Sequence, residues 1–374
     1  EHLRWSASWS TREDAEEYKF RRGLAEKLGA KGWLFPLYPK KYGGADLTVD
    51  HQMVLETELF KYGLNLSHVF YTLARIVAPV LIRWGTDDQK AEFLPPVMRA
   101  EICVWQVLTE PQGGSAIANC QTKAIRDGDH YVVNGQKTMV GHHLPPDYLW
   151  TLVCTNPQGK RHENLAWLHI PANLPGVEIQ HMDMMMGIKN TVFFDNVRVP
   201  AKYLIGGENN GWKVASTHME LEHGGDGRIA ADPLIERVIE YCRNTHIDGK
   251  PIMEDPRVRD LVADMMIELN TLRRFNQLIY WRRFAKKPHP YGGPQQRYYQ
   301  RTMRLRNGER LQAIMGADAL EQNLSVHEVI DFEYAVRTGP GQLHGGGTLD
   351  TDRLIFARRL GLGRPTTEKA PETD

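Results

Sequence analysis

Two stretches of this 374-residue chain combine glycines with polar side chains in a pattern that suits a ligand. The first, "LHGGGTLDTDR", begins at Leu343 and places three consecutive glycines before a stretch with helical character. Glycine is used where the backbone passes close to another group or takes a φ that other residues avoid, and it has no side-chain chemistry to offer. We expect Asp350, which follows, to cap the helix or to pair with Arg353. The question is what the glycines replace.

The second stretch is "WQVLTEPQGGS", where the chain leaves a helix and enters a strand. Thr109 brings a hydroxyl, its neighbours bring backbone N–H groups, and Ser115 brings a second hydroxyl. These groups are hydrogen-bond donors for a ligand. The alternative is a glycine-rich turn that holds nothing.

A third candidate is the pair of carboxylates in the helical stretch "STHMELEHGG". Glu220 and Glu222 are two residues apart, so on a helix they face roughly opposite sides and cannot both serve one site. Taken alone, Glu222 is most simply a solvated helix carboxylate or a partner for His218 or Arg228.

The pattern of apolar residues predicts three regions that position these groups. Residues 1–103 have helical spacing, with stretches that end in glycine. Residues 104–208 alternate in the manner of strands, with Asp-Gly and Asn-Gly pairs that predict hairpin turns in a small barrel or sandwich. Residues 209–374 return to long helices, which predict a four-helix bundle.

Composition excludes several classes of protein. Charged residues make up 25% and hydrophobic residues 41% of the chain, as in folded soluble proteins. Lys plus Arg and Asp plus Glu are equal at 46 each, so we expect no nucleic-acid partner and no membrane association. The four cysteines are far apart without metal-ligand spacing, and the polar N-terminus lacks a signal-peptide core, so we expect reduced thiols, no metal and a cytoplasmic location.

Several phrases, in one order along the chain, resemble the acyl-CoA dehydrogenase family. They are "GWLFPLYPKKYGG", "GTDDQKAEFLPPVMRAE", "TEPQGGSA", "GDHYVVNGQK", "FFDNVRVPAKYLIGGENNGW" and "RLIFARRLGL". The resemblance implies an α+β multi-domain fold with an N-terminal helical domain, a central β domain and a C-terminal helical bundle. It also implies FAD as cofactor, an acyl-CoA substrate, and an electron-transferring flavoprotein as acceptor. Family members are oligomers, so we expect a homo- or hetero-oligomer, either a dimer or a tetramer.

The resemblance assigns roles to individual residues. It places the FAD contacts at Gln106, Leu108, Thr109, Gly114, Ser115, Met139, Gly141, Gln312, Gly316 and Thr348, and substrate contacts at Arg75, Ser115 and Gly346. One departure lies in "GQKTMVG": Met139 stands where the family has a Trp that shields the flavin, and Gly141 where it has a Thr near flavin N5. Met139 can still cover the ring as a soft apolar contact.

A second departure concerns the catalytic base. The family reaction removes an α-proton with a carboxylate and passes the β-hydride to flavin N5. Many members carry the base as Glu in "EGT.EI.R", but here Gly346 stands at that position. Other members carry it on the first helix of the final bundle, and Glu222 matches that alternative. Some steroid side-chain enzymes of actinobacteria combine both features, so a steroid acyl-CoA is the preferred substrate class.

Two other interpretations stay open. A non-oxidative relative such as a desulfinase would use Arg75, if buried, to hold an anionic acyl group. Alternatively, the chain is a catalytically silent subunit that completes the FAD or CoA site of a partner in a heteromer.

Overall fold

The structure is a computed structural model that describes residues 15–61, 74–141, 145–185, 187–222, 233–287, 290–321 and 332–362. These residues form two compact units, residues 1–222 and 223–374, which are described separately. No helix within the described ranges is long and apolar enough to cross a membrane.

The first unit begins with helices and continues with a sheet. The helices are α1 (Ala15–Ala30), α2 (Val49–Lys61), α3 (Ala74–Trp84) and α4 (Asp87–Met98). Helix α4 starts with a capping box, because the Thr86 hydroxyl accepts from the backbone N–H of Gln89 and the Gln89 side chain accepts from the backbone N–H of Thr86. The strands are β1 (Val104–Val107), β2 (Lys123–Asp127), β3 (His130–Gly141), β4 (Tyr148–Cys154), β5 (Leu165–Pro171), β6 (Val177–Met184), β7 (Gly187–Pro200) and β8 (Leu204–Ile205).

The strands form one sheet in the order β6-β7-β3-β2-β4-β5-β8, and β1 pairs in parallel with β4. The expected hairpin at Asp127-Gly128 is confirmed, since β2 and β3 pair antiparallel on either side of it. The second expected turn, at Asn134-Gly135, was wrong: β3 runs through it, and a register shift against β7 marks a bulge there. A Cβ on Gly135 would lie 2.7 Å from the Thr122 Cα, so the close approach of β2, rather than a chain reversal, accounts for this glycine.

Helix α5 (Gly211–Glu222), which carries Glu222, belongs to the first unit. Its residues Val214 and Ala215 are buried in the same apolar cluster as Leu165 and Trp167 of β5. A Cβ on Gly211 would lie 2.4 Å from the backbone N of Ala166, so only glycine lets the helix start this close to β5. The helix that carries Glu222 therefore packs against the sheet.

The second unit is helical apart from a two-stranded ribbon, β9 (His246–Ile247) with β10 (Lys250–Pro251). Its helices are α6 (Pro233–Asn244), α7 (Pro256–Phe284), α8 (Gly292–Met315), α9 (Phe332–Thr338) and α10 (Leu349–Arg359). Buried side chains of α6, α7, α8 and α9, among them Val238, Met265, Leu311 and Phe332, share one apolar cluster. The predicted sequence of helical, β and helical regions is confirmed.

Candidate active site

A buried ion pair holds the end of β1 against β3. Glu110 and Lys137 are 5% and 0% exposed, and Lys137 Nζ lies 2.9 Å from Glu110 Oε1. The carboxylate also accepts hydrogen bonds from the Thr122 backbone N–H and hydroxyl, at 2.8 and 2.6 Å, and from the Gln121 backbone N–H at 2.7 Å. Burial opposes ionisation, but the ammonium and these hydrogen bonds together lower the pKa of Glu110 to about 2. Glu110 is therefore a structural carboxylate and not a candidate base.

This ion pair orients the loop that the sequence singled out. Lys137 Nζ donates to the Leu108 carbonyl at 3.1 Å, and the Thr138 backbone N–H donates to the Thr109 carbonyl at 2.8 Å. The hydroxyls of Thr109, which is half-buried, and of Ser115, which is exposed, have no hydrogen-bond partner among the described residues. Both hydroxyls are thus available to a ligand. The hydrogen bonds to the Leu108 and Thr109 carbonyls hold the backbone of this loop in place.

The exposed glycine of this loop leaves room for a bound group. A Cβ on Gly114 would contact only the Thr109 Cγ2, at 3.7 Å. The loop therefore presents exposed backbone beside two uncommitted hydroxyls, which is the arrangement expected of a surface that holds a phosphate-bearing cofactor.

Glu222 lies at the last residue of α5, next to another predicted site residue. Its Oε2 accepts a hydrogen bond from Gln106 Nε2 at 3.1 Å, across 116 positions of sequence. The Glu222 side chain is 20% exposed, whereas Glu220 is exposed to solvent. The expectation that the two carboxylates face different sides is confirmed, and only Glu222 is half-buried.

A buried histidine that the sequence did not assign to the site faces the same carboxylate. His218 is fully buried one turn before Glu222, and its Nε2 lies 3.6 Å from Glu222 Oε2 with no hydrogen-bond partner. Trp150 Nε1 lies 3.2 Å from His218 Nδ1. Because an indole N–H can only donate, Nδ1 is assigned as the acceptor, which places an imidazole proton on Nε2, the nitrogen near Glu222. The i, i+4 spacing of the two residues was the available signal in the sequence.

The end of β3 has an irregular backbone at the positions of the first departure. A register shift against β7 falls between Lys137 and Val140, and Met139 takes a left-handed φ of 57°. The Met139 side chain is 48% exposed, so it is free to cover a ligand. A Cβ on Gly141 would lie 2.9 Å from Lys189 Nζ, so a lysine occupies the space next to this glycine.

In the second unit, the three-glycine loop is held by two arginines. Arg301 donates to the carbonyls of Gly345 and Gly347, Arg297 donates to that of Gly346, and both arginines face the buried Asp352. Gly346 has a φ of 65° and Gly347 a φ of 101°, which favour glycine. The left-handed backbone therefore explains why glycine stands at positions 346 and 347. This explanation is independent of the absence of a base at position 346.

Residues around this loop clarify two further expectations. The Thr348 hydroxyl caps α10 by accepting from the Thr351 backbone N–H at 3.2 Å, so this oxygen already has a structural partner. Asp350 is exposed and lies 3.6 Å from Arg353, as expected. Gln312 and Gly316 are exposed at the end of α8, and their contact with FAD stays a prediction.

The surroundings of Arg75 bear on the idea that it holds an anionic acyl group. Its half-buried guanidinium forms an ion pair with Glu56 of α2. A carboxylate of the chain itself therefore supplies an anion for this arginine, and a substrate contact by Arg75 stays a prediction.

Comparisons with known proteins agree with this architecture. The acyl-CoA dehydrogenase N-terminal, middle and C-terminal domain models match residues 6–101, 106–197 and 209–361. Acyl-CoA dehydrogenase FadE29 of Mycobacterium tuberculosis is 31% identical over 70% of this chain and 66% of its own length, so the match spans just under two thirds of that relative. The chain belongs to the acyl-CoA dehydrogenase family.

Solved structures with this fold include assemblies of paired subunits. The Tcur3481-Tcur3483 steroid ACAD superposes with a TM-score of 0.80 and 26% identity, over 93% of this chain and 90% of that chain. The ChsE4-ChsE5 complex from Mycobacterium tuberculosis superposes with a TM-score of 0.81 and 26% identity, over 96% and 95% of the two chains.

Membership of the family implies FAD, and the first unit has groups that fit it. The uncommitted hydroxyls of Thr109 and Ser115, with the exposed backbone at Gly114, would hold the cofactor, while Met139 offers an apolar cover. The buried Nε2 of His218, which lacks a hydrogen-bond partner, and the half-buried Glu222 lie in the same unit. The donor set therefore fits the cofactor that the family uses.

Proposed function

We propose that this protein is an FAD-dependent dehydrogenase that oxidises the α,β-bond of an acyl-CoA thioester, with Glu222 as the base. The observation that supports this proposal is the half-buried Glu222 carboxylate, hydrogen-bonded by Gln106 and faced by His218. The neighbouring Glu220 on the same helix is exposed, and Glu110 is already paired with Lys137.

The neighbours of Glu222 suit a carboxylate that must be ionised before it accepts a proton. Gln106 donates an amide N–H to Oε2, and His218 Nε2 lies 3.6 Å from the same oxygen. The amide N–H stabilises the carboxylate without adding charge. Glu222 is the group that would take the α-proton. FAD, when bound, supplies the acceptor for the β-hydride.

The substrate class that we propose is the CoA ester of a steroid side chain. The three-glycine phrase supports it, and so does the structural similarity to a protein described as a steroid ACAD. We further propose a cytoplasmic oligomer, homomeric or heteromeric, which passes electrons to an electron-transferring flavoprotein.

A second candidate function is that of a catalytically silent subunit in a heteromer. The observation that favours it is the replacement at Met139 and Gly141 of two side chains that the family places at the flavin. In that case the chain, purified alone, would lack flavin. The desulfinase alternative has lost its supporting observation, because Arg75 pairs with Glu56.

The test is anaerobic bleaching of the flavin by a panel of acyl-CoA thioesters that includes steroid side-chain esters. We expect Glu222→Gln to retain FAD and to bleach at least about a hundredfold more slowly, within the range for loss of a general base. Glu220→Gln, on the exposed side of the same helix, is the matched control and should bleach at the rate of the unchanged protein. Wild-type rates in Glu222→Gln would refute the assignment of the base. A chain that binds no FAD would instead favour the silent subunit.

A further inference from the structure

A lysine side chain fills the space beside Gly141. Gly141 of β3 pairs directly with Lys189 of β7 in the antiparallel ladder. A Cβ built on Gly141 would lie 2.9 Å from Lys189 Nζ and 3.9 Å from its Cδ, with no other atom within 4 Å. The ammonium therefore occupies the position that the side chain of a larger residue 141 would take.

This ammonium has no partner within the described part of the chain. Lys189 is half-buried, and no hydrogen bond or ion pair involves its Nζ. Burial lowers the pKa of Lys189, since no carboxylate offsets the cost of desolvation. Lys137 of β3 is also buried, but its ammonium pairs with the Glu110 carboxylate and donates a hydrogen bond to the Leu108 carbonyl. A half-buried ammonium with no acceptor in the described residues is available to an acceptor on a bound molecule.

The surroundings of Lys189 are apolar and exposed. Met139, Met184 and Met185 are 48%, 43% and 57% exposed. They lie near the same end of three paired strands, since Met184 pairs with Gly187 and Met182 with Lys189. Exposed methionines at the strand ends near Lys189 suit a flat aromatic ring that carries hydrogen-bond acceptors.

We propose that Lys189 contacts the flavin and replaces the hydroxyl that the family pattern places at position 141. This inference rests on the proposed function, because it requires FAD to bind at the loop of Thr109 and Ser115. With FAD bound, the ammonium would donate to acceptors of the flavin ring and stabilise the negative charge of its reduced form. Glycine at position 141 and lysine at position 189 act as a unit, because a side chain at 141 would displace Nζ.

The primary test is the flavin midpoint potential of Lys189→Met, measured without substrate against a reference dye. An opposite charge within about 4–6 Å stabilises an anion by roughly tenfold to a thousandfold. We therefore expect Lys189→Met to weaken binding of reduced relative to oxidised FAD by at least about tenfold, a negative shift of about 30 mV for each factor of ten. Lys189→Arg retains the charge and should stay within a few-fold of the unchanged protein.

Two further variants keep the test informative. Gly141→Val displaces the flexible end of Lys189 without bringing in a hydroxyl, so it should shift the potential in the same direction, and adding Lys189→Met to it should change little more. This variant also serves if Lys189→Met fails to fold. Lys202→Met, which removes an exposed lysine paired with Glu92, is the control and should leave the potential unchanged.

The outcomes separate the two proposals. Unchanged potentials in both Lys189→Met and Gly141→Val, with FAD bound, would overturn the role of Lys189 and leave the proposed function intact. Failure of the unchanged protein to bind added FAD would refute both. A negative shift in Lys189→Met that is absent in Lys189→Arg would support the proposal.

Discussion

The buried pair of Glu110 and Lys137 makes a quantitative prediction about stability. The pKa of Glu110 is lowered from 4.5 to about 2, which is about 2.5 units. At about 1.4 kcal/mol per unit, the ionised carboxylate contributes roughly 3 kcal/mol to folding near neutral pH. Removing one member of a buried pair costs about 3–5 kcal/mol, because the other charge is left without compensation. We therefore expect Lys137→Met to lower the free energy of unfolding by about 3 kcal/mol at pH 7.5.

The sign of the pH dependence follows from the direction of the shift. A carboxyl with a lowered folded pKa stabilises the protein above its unfolded pKa, and this contribution is lost as the pH falls from about 4.5 toward 2. In Lys137→Met the carboxyl protonates more readily, so the difference from the unchanged protein should shrink below about pH 5.

The assay is urea unfolding followed by circular dichroism at several pH values. Lys202→Met is the matched control: it breaks an exposed pair with Glu92, and we expect a change below about 1 kcal/mol. The double variant Glu110→Gln, Lys137→Met should recover part of the loss, because no unpaired charge remains. A loss below about 1 kcal/mol in Lys137→Met at pH 7.5 would refute this reasoning.

Three other predictions concern local structure and reactivity. Gly346→Ala should lower the free energy of unfolding by about 1 kcal/mol in urea titrations, because the φ of 65° strains any side chain; no loss would contradict the backbone account of this glycine. Gly211→Ala should cost about 1–3 kcal/mol or more, because its Cβ would lie 2.4 Å from the backbone of β5; Gly113→Ala, in open space, is the control, and equal effects would count against the close approach. Burial raises the pKa of the Cys103 thiol to about 12, so iodoacetamide at pH 8 should label it only after unfolding; rapid labelling of the native protein would disagree.

Much of the candidate site can be predicted from sequence because the relevant residues lie in short phrases. The loop of Thr109 and Ser115, the opposite faces of Glu220 and Glu222, and the pair Asp350–Arg353 depend on local spacing alone. The Asn134-Gly135 turn was wrong because a glycine required by close packing and a glycine required by a turn have the same sequence signal.

Other features depend on pairings between distant positions, which no local pattern contains. The approach of Gln106 to Glu222 joins the end of β1 to the end of α5. The partner of Arg75 is a glutamate on another helix, so the charge that suggested a substrate belongs to the protein itself.

The amino-acid sequence by itself determined the order of helical and β regions, the family phrases and the residue types at the candidate site, because these depend on local periodicity and on side-chain chemistry. Only the tertiary structure decided which of those groups are already satisfied. Glu110 and Lys137 neutralise each other, whereas His218 Nε2 is buried without a hydrogen-bond partner and the half-buried Lys189 has none for its Nζ in the described residues. The physical reason is that the cost of burying a polar group depends on which neighbours the fold brings to it.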